Sequence, residues 1–189
     1  MTSGRRLHYD YDEYLTTLEA STIKLEYCDG VIYAMARGTP LHAQLAAAVI
    51  LTLARTLPKD CRLSNSDMKI RVEPTDLTTF PDVSVVCGKA EVSKIDSNAV
   101  VNPSVLVEVT SKSTEDYDRG DKLSHYKQIP PLRAVLFVSH RSRRITLVER
   151  TGGTWTEKES RGGERVTLAL DGIDFAVDDL YEGLTLDPA

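Results

Sequence analysis

Between Val105 and Val138 the chain carries two short apolar runs, Val105-Leu106-Val107-Glu108-Val109 and Ala134-Val135-Leu136-Phe137-Val138. They flank a polar stretch closed by Pro130-Pro131. Runs of this length and composition predict buried strands, and the pattern from Thr114 to Ile129 predicts a helix joining them. A strand, helix, strand order places one crossover in a mixed sheet, which confines the fold to the α/β or α+β class. One position breaks the first run. A carboxylate at Glu108, between Val107 and Val109, is costly to bury unless a cation, a metal or a hydrogen-bond network compensates it. Asp82 has a similar setting in Phe80-Pro81-Asp82-Val83-Ser84-Val85-Val86. Two acids carried by two core strands point to a metal site.

The rest of the pattern fills out one domain over residues 1–189, with a mixed β-sheet flanked by helices. Tyr11 to Leu18 reads as a short amphipathic helix. Residues 24–28 and 31–35 read as strands around Asp29-Gly30, a strong hairpin signal. Pro40 to Leu57, rich in Ala and Leu and ending at Pro58, is the long helix. Arg62 to Val72 and Phe80 to Val86 read as strands, and 88–103 as an irregular connection. Ile145 to Arg150 and Thr154 to Lys158 form a hairpin around Gly152-Gly153. An acidic C-terminal extension follows, anchored by Leu168, Leu170, Ile173, Phe175, Val177 and Leu180.

No apolar run is long enough to span a membrane, and no apolar segment follows the arginines at the N-terminus as a secretory leader would require. Cys28, Cys61 and Cys87 form no CxxC pair and no zinc spacing, so the expectation is three reduced cysteines, small core residues of a cytoplasmic protein. The net charge of −5 argues against indiscriminate nucleic-acid binding. Its distribution is uneven. Residues 112–150 hold nine Lys/Arg against five Asp/Glu, and 151–189 hold three against nine. This describes either two solvated surfaces of opposite sign or a basic face beside an acidic tail.

Hard divalent cations take carboxylate and carbonyl oxygens and leave positions for water and phosphate. Two acids on neighbouring strands supply such a partial shell, and a nearby ammonium orients water or stabilises charge on a phosphoryl transition state. Pro81-Asp82 followed by Glu108-Val109-Thr110 resembles the PD-(D/E)xK nuclease superfamily, although Thr110 stands where its lysine is usual. The ordered series Leu25-Glu26-Tyr27-Cys28-Asp29-Gly30, His42, Pro81-Asp82-Val83, Val107-Glu108-Val109-Thr110-Ser111-Lys112-Ser113-Thr114 and Asp118-Arg119-Gly120-Asp121-Lys122-Leu123-Ser124-His125-Tyr126 is similar to the Uma2 family of that superfamily. The family usually has proline at the position of Lys112. The resemblance implies a restriction-endonuclease-like fold and a Mg²⁺ (or Mn²⁺) site held by Asp82, Glu108 and the Val109 carbonyl. It also implies that the lysine has moved to the next helix, as Lys122, with Glu26 as a third acid. Nucleic acid, DNA first, is the implied substrate, and homodimers are expected by analogy.

On the residues alone, other roles stay open. Asp118, Lys122 and Tyr126 are spaced i, i+4, i+8 and share a helix face, so Asp118 can position Lys122 or merely pair with it on the surface. Lys112 has the strand parity of Glu108 and is the rival lysine. Asp82 suits a strand-start acid held by backbone N–H groups, Glu26 a cross-strand partner, and His42 a cap or packing residue. Tyr126 suits the core or a phosphate contact. Arg141, Arg143 and Arg144 suit a solvated turn or a DNA-backbone contact. The functional alternatives are a nuclease-fold module that binds without cutting, and hydrolysis of a smaller phosphoester.

Overall fold

Helix α1 (Tyr11–Ala20) begins at a reciprocal cap, in which Asp10 accepts from the Glu13 N–H and Glu13 accepts from the Asp10 N–H, both at 2.8 Å. The computed structural model describes residues 8–35, 38–111, 115–170 and 172–186. Strands β1 (Leu25–Cys28) and β2 (Val31–Ala34) form the predicted hairpin, and Asp29 and Gly30 both take positive φ, 46° and 78°. Helix α2 (Pro40–Thr56) is capped by the Thr39 hydroxyl, which accepts from the His42 N–H. Pro40 stands in the first turn, where its missing N–H costs nothing.

Further along come β3 (Cys61–Asn65), β4 (Lys69–Val72), β5 (Leu77–Thr79), β6 (Val83–Cys87), β7 (Ala99–Val100) and β8 (Val105–Thr110). A helical segment over 115–126 leads to β9 (Ala134–Ser139), β10 (Arg144–Thr151), β11 (Thr154–Arg161), β12 (Arg165–Thr167), β13 (Asp174–Ala176) and the helical turn Val177–Tyr181. One sheet has five strands in the order β2-β1-β5-β4-β7, a second has six in the order β11-β10-β9-β8-β6-β3, and β12 and β13 pair as a third. Within the second, β8 and β9 are parallel, joined by the helical crossover that the apolar runs predict. The α/β class with a mixed sheet therefore holds.

Several boundaries differ from expectation. Arg62 to Val72 is two strands in two sheets, because the Asn65 side chain accepts from the Asp67 N–H and turns the chain out of the ladder. Phe80, Pro81 and Asp82 precede β6 rather than open it, since Pro81 has no N–H for a ladder. The 88–103 connection contains β7 and an isolated bridge from Val92 to Val100. The helix ends at Tyr126, not Ile129. The two residues before Pro130 close instead in turns onto His125 O and Tyr126 O.

The acidic extension is part of the core. Leu168, Leu170, Ile173, Phe175, Val177, Leu180 and Tyr181 pack with Leu45, Leu53, Val107 and Leu136. The basic and acidic segments pair with each other in part. Arg119 bonds Glu157 at 2.5 Å, Arg143 bonds Asp178 at 2.7 Å, and Arg144 lies 3.6 Å from Glu159. Arg144 also bonds Glu115 at 2.6 Å. The expectation of three free cysteines is corrected. The β3–β6 register sets Cys61 directly opposite Cys87, and the two form a disulfide, leaving Cys28 free. Among the described residues, no helix is long and apolar enough to cross a membrane.

Candidate functional site

Glu108 lies near the end of β8 and is 5 % exposed. Its Oε1 accepts from Lys122 Nζ at 3.0 Å and from the Tyr126 hydroxyl at 2.5 Å. Both donors come from the crossover helix, which is widened between Asp118 and Lys122 into a π-helical stretch. There the Leu123 N–H reaches back to Asp118 O. Such stretches recur at functional sites. The widened face still buries Asp118, Lys122 and Tyr126 together. Lys122 Nζ also lies 3.2 Å from Glu26 Oε1 on β1 and 3.9 Å from Asp118 Oδ1. Glu26 accepts in addition from the Thr79 hydroxyl. One ammonium thus joins an acid of the five-stranded sheet to an acid of the six-stranded sheet.

Asp82 approaches from the other side of β8. Its Oδ2 accepts from the Val109 N–H at 2.7 Å and from His42 Nε2 at 3.2 Å. The local cause is the proline before it. Extending the β6–β8 register beyond Val83↔Val107 sets Val109 opposite Pro81, which has no N–H to donate. The Val109 N–H therefore turns to the Asp82 side chain, and the ladder offers its carbonyl no donor on that side. Glu26, His42, Asp82, Glu108, Val109, Asp118 and Lys122 all line one open cavity of about 550 Å³. Asp82 Oδ1 and Glu108 Oε2 accept no hydrogen bond among the described residues.

The electrostatics follow from burial. The Glu108 carboxyl is pushed up to about 8, first by desolvation and then by Asp118 and Asp82, against the pull of Lys122. Burial alone would strip the Lys122 proton, yet Glu108, Tyr126, Glu26 and Asp118 outweigh it and hold the ammonium well above its ordinary range. The hydrogen bond to Asp82 raises His42 against the opposing effect of burial. Among the described lining residues, four carboxyl groups face one lysine and two histidines, His42 and His140, so acids outnumber bases in the cavity.

The structure brings Asp82, Glu108, Val109, Lys122, Glu26, Asp118 and His42 together. Tyr126 is fully buried beneath Glu108, so the phosphate contact entertained for it is replaced by that hydrogen bond. Lys112 lies outside the described residues. Thr110, at the position usual for lysine, is buried with its hydroxyl 3.5 Å from Val138 O. The Arg143 and Arg144 guanidinium groups are bound to Asp178 and Glu115. Sequence reasoning missed three lining residues, Tyr33, Tyr117 and His140. His140 follows the last residue of β9, and its Nδ1 is bonded to Thr110 O. The signal available was positional, since ligands gather at the carboxyl ends of parallel strands. Among the described residues no three His, Cys, Asp or Glu side chains form a closed metal cage.

A family model described as "Uma2: Putative restriction endonuclease" matches residues 10–178. The uncharacterized protein slr1290 of Synechocystis sp. (strain ATCC 27184 / PCC 6803 / Kazusa) is 37% identical over 175 residues, 92% of this chain and 91% of that protein. A second uncharacterized Synechocystis protein, sll1609, is 28% identical over 145 residues, 74% of this chain and 80% of its own length. Among solved structures, one from Anabaena variabilis ATCC 29413, titled "putative nuclease belonging to DUF820", superposes with a TM-score of 0.70 at 13% identity. It covers 90% of this chain and 96% of that one, a likeness of fold.

Proposed function

This chain belongs to the Uma2 family, and from that premise we propose that it is a metal-dependent endonuclease hydrolysing the phosphodiester bonds of nucleic acid, DNA first. The observation that carries this reading is the meeting of Asp82, Glu108 and Lys122, from three separate elements, on one open cavity.

The donor set fits a hard divalent cation. Asp82 Oδ1, Glu108 Oε2 and the Val109 carbonyl are oxygen donors with no protein partner assigned to them, and the cavity carries an excess of carboxylates. Mg²⁺ and Mn²⁺ keep waters and share substrate phosphate oxygens, so they ask few ligands of the protein. When bound, the ion supplies Lewis-acid neutralisation of charge developing on the phosphate. The Val109 N–H and His42 fix the Asp82 carboxylate, and Tyr126 fixes that of Glu108. Lys122 orients the attacking water and stabilises the transition-state charge, while Glu26 and Asp118 keep it protonated and in place.

The test is cleavage of plasmid and oligonucleotide substrates in Mg²⁺ or Mn²⁺, with Asp82→Ala as control. Cutting that Asp82→Ala abolishes supports the proposal. No cleavage of DNA or RNA, with metal affinity unchanged in Asp82→Ala, rejects it.

A further inference from the structure

Two aromatic side chains at the cavity have no structural employment. Tyr33 on β2 is 46 % exposed and Tyr117 in the crossover helix is 40 % exposed, and both line the same cavity as Asp82, Glu108 and Lys122. Neither ring stacks on another aromatic ring among the described residues, whereas Tyr11, Tyr14 and Tyr27 pack together beneath α1. They come from different elements, β2 and the crossover helix, and meet on the lining of one cavity. Exposed tyrosines beside a reacting centre offer flat apolar faces with little side-chain entropy to lose.

The charges among the described lining residues are mostly acidic. Proteins grip a duplex chiefly through lysine and arginine on its phosphates. Lys122 is the one lysine or arginine lining this cavity among the described residues, and it is enclosed by Glu26, Glu108 and Asp118. Arg119, Arg143 and Arg144 are bound to acids of the C-terminal segment or the helix. The exposed tyrosine faces offer a contact to bases, and bases have free faces only where the strand is unpaired. A cavity of about 550 Å³ is of a size to admit a nucleotide. It continues past Met35, Gly38, His42 and Asp82 into a second hollow of about 650 Å³ floored by Ala43, Ala46 and Ala47 of α2 and edged by Lys24, which is paired with Asp67, and this gives a strand a path on the far side of Asp82.

We propose that Tyr33 and Tyr117 form a stacking site for a nucleobase next to the scissile phosphate, so that the substrate is an unpaired strand rather than a continuous duplex. This rests on the nuclease reading for the identity of the ligand.

The experiment uses the full chain and a labelled oligonucleotide, as single-stranded DNA, as single-stranded RNA and as the DNA duplex. Binding is followed by anisotropy in EDTA, and cleavage separately in Mg²⁺. Either single strand is expected to bind roughly tenfold or more tighter than the duplex. Tyr33→Ala and Tyr117→Ala should each lose roughly ten- to a hundredfold in single-strand affinity, and Tyr33→Phe and Tyr117→Phe should restore it. Duplex binding equal to or tighter than single-strand binding overturns the inference, as do alanine variants that bind like the wild type. If duplex is cut and preferred, the nuclease reading stands and this one falls. If nothing is cut but tyrosine-dependent binding of the single strand persists, this one stands and the nuclease reading falls.

Discussion

Lys122 Nζ lies 3.0 Å from Glu108 Oε1, with both side chains almost wholly withdrawn from solvent. Removing one member of a buried ion pair leaves the other uncompensated, at a cost of about 3–5 kcal/mol. Here the ammonium also faces Glu26 and Asp118, so more than one acid loses its partner, while the buried Glu108 carboxyl limits the cost by taking up a proton. Lys122→Met is therefore expected to lose about 3 kcal/mol of unfolding free energy in EDTA. Mg²⁺ should return more stability to this variant than to the wild type, since the ion replaces the missing positive charge. Urea denaturation with and without Mg²⁺ measures both effects. A Lys122→Met protein as stable as the wild type in EDTA would remove the charge-compensation argument.

The Glu108 carboxyl, raised to about 8 from an ordinary 4.5 chiefly by burial, makes the site pH-sensitive. Folding holds the proton to higher pH than the unfolded chain does. The contribution to stability is therefore full below the unfolded value and fades as pH rises through the window up to about 8. A cation that uses this carboxylate must displace that proton. Mg²⁺ or Mn²⁺ affinity should rise roughly tenfold per pH unit through near-neutral pH. It should level off above about 8. Calorimetric titration across that range, with Glu108→Gln as the variant lacking the step, tests this. A flat affinity in the wild type would mean that Glu108 is not a ligand.

The acids of this site are legible in the sequence because each violates a local rule. Glu108 interrupts a strand pattern and Asp82 follows a proline before one. Lys122 is singled out by the resemblance to the family, and its spacing from Asp118 and Tyr126 alone would equally describe a surface ion pair. The contact between Lys122 and Glu26 has no local signature, because it arises where two sheets close on each other. The same holds for Cys61 and Cys87, whose separation of 26 residues says nothing until the β3–β6 register is known. Arg62 to Val72 was misread for a related reason. A strand that leaves one sheet for another keeps its strand-like composition, and only the Asn65 turn betrays the switch. The neutralisation of Arg143 depends on where the C-terminal turn docks, and that of Arg144 on the crossover helix and β11, which regional charge counts cannot express.

His42 is one of two donors that hold Asp82 Oδ2, and its side chain keeps 27 % of its surface exposed on the cavity wall. Replacing it should leave the fold intact and loosen the carboxylate. Partners that orient a metal ligand are typically worth about 10–100-fold in metal affinity or activity. His42→Ala is expected near the lower end, about tenfold, because the Val109 N–H remains. His42→Gln, which can still donate, should recover part of the loss. Metal titration and turnover, alongside an unfolding midpoint close to the wild type, distinguish positioning from misfolding.

The Cys61–Cys87 disulfide ties β3 to the end of β6 remote from Asp82. Closing a loop of this size in the unfolded chain is worth about 3 kcal/mol. Cys61→Ser with Cys87→Ser, or reduction of the wild type, should lower stability by about that amount in urea unfolding. Metal affinity should be unchanged, because the bonds that fix Asp82 come from Val109 and His42. A reduced protein that keeps its stability but loses metal affinity would place the disulfide in the wrong role.

The pairing of basic with acidic segments has a consequence for ionic strength. Each phosphate neutralised by a protein cation steepens the loss of affinity with salt, by about 0.7 in the log–log slope for a single strand. Arg119, Arg143 and Arg144 are engaged to Glu157, Asp178 and Glu115, and Lys122, at the cavity, is enclosed by acids. Single-strand binding should therefore show a slope shallower than about −2. Arg143→Ala should leave it unchanged, and Asp178→Ala should steepen it by freeing Arg143. A steep slope in the wild type that Arg143→Ala reduces would show the exposed arginine leaving Asp178 for the nucleic acid, and would return the turn at 141–144 to the binding surface.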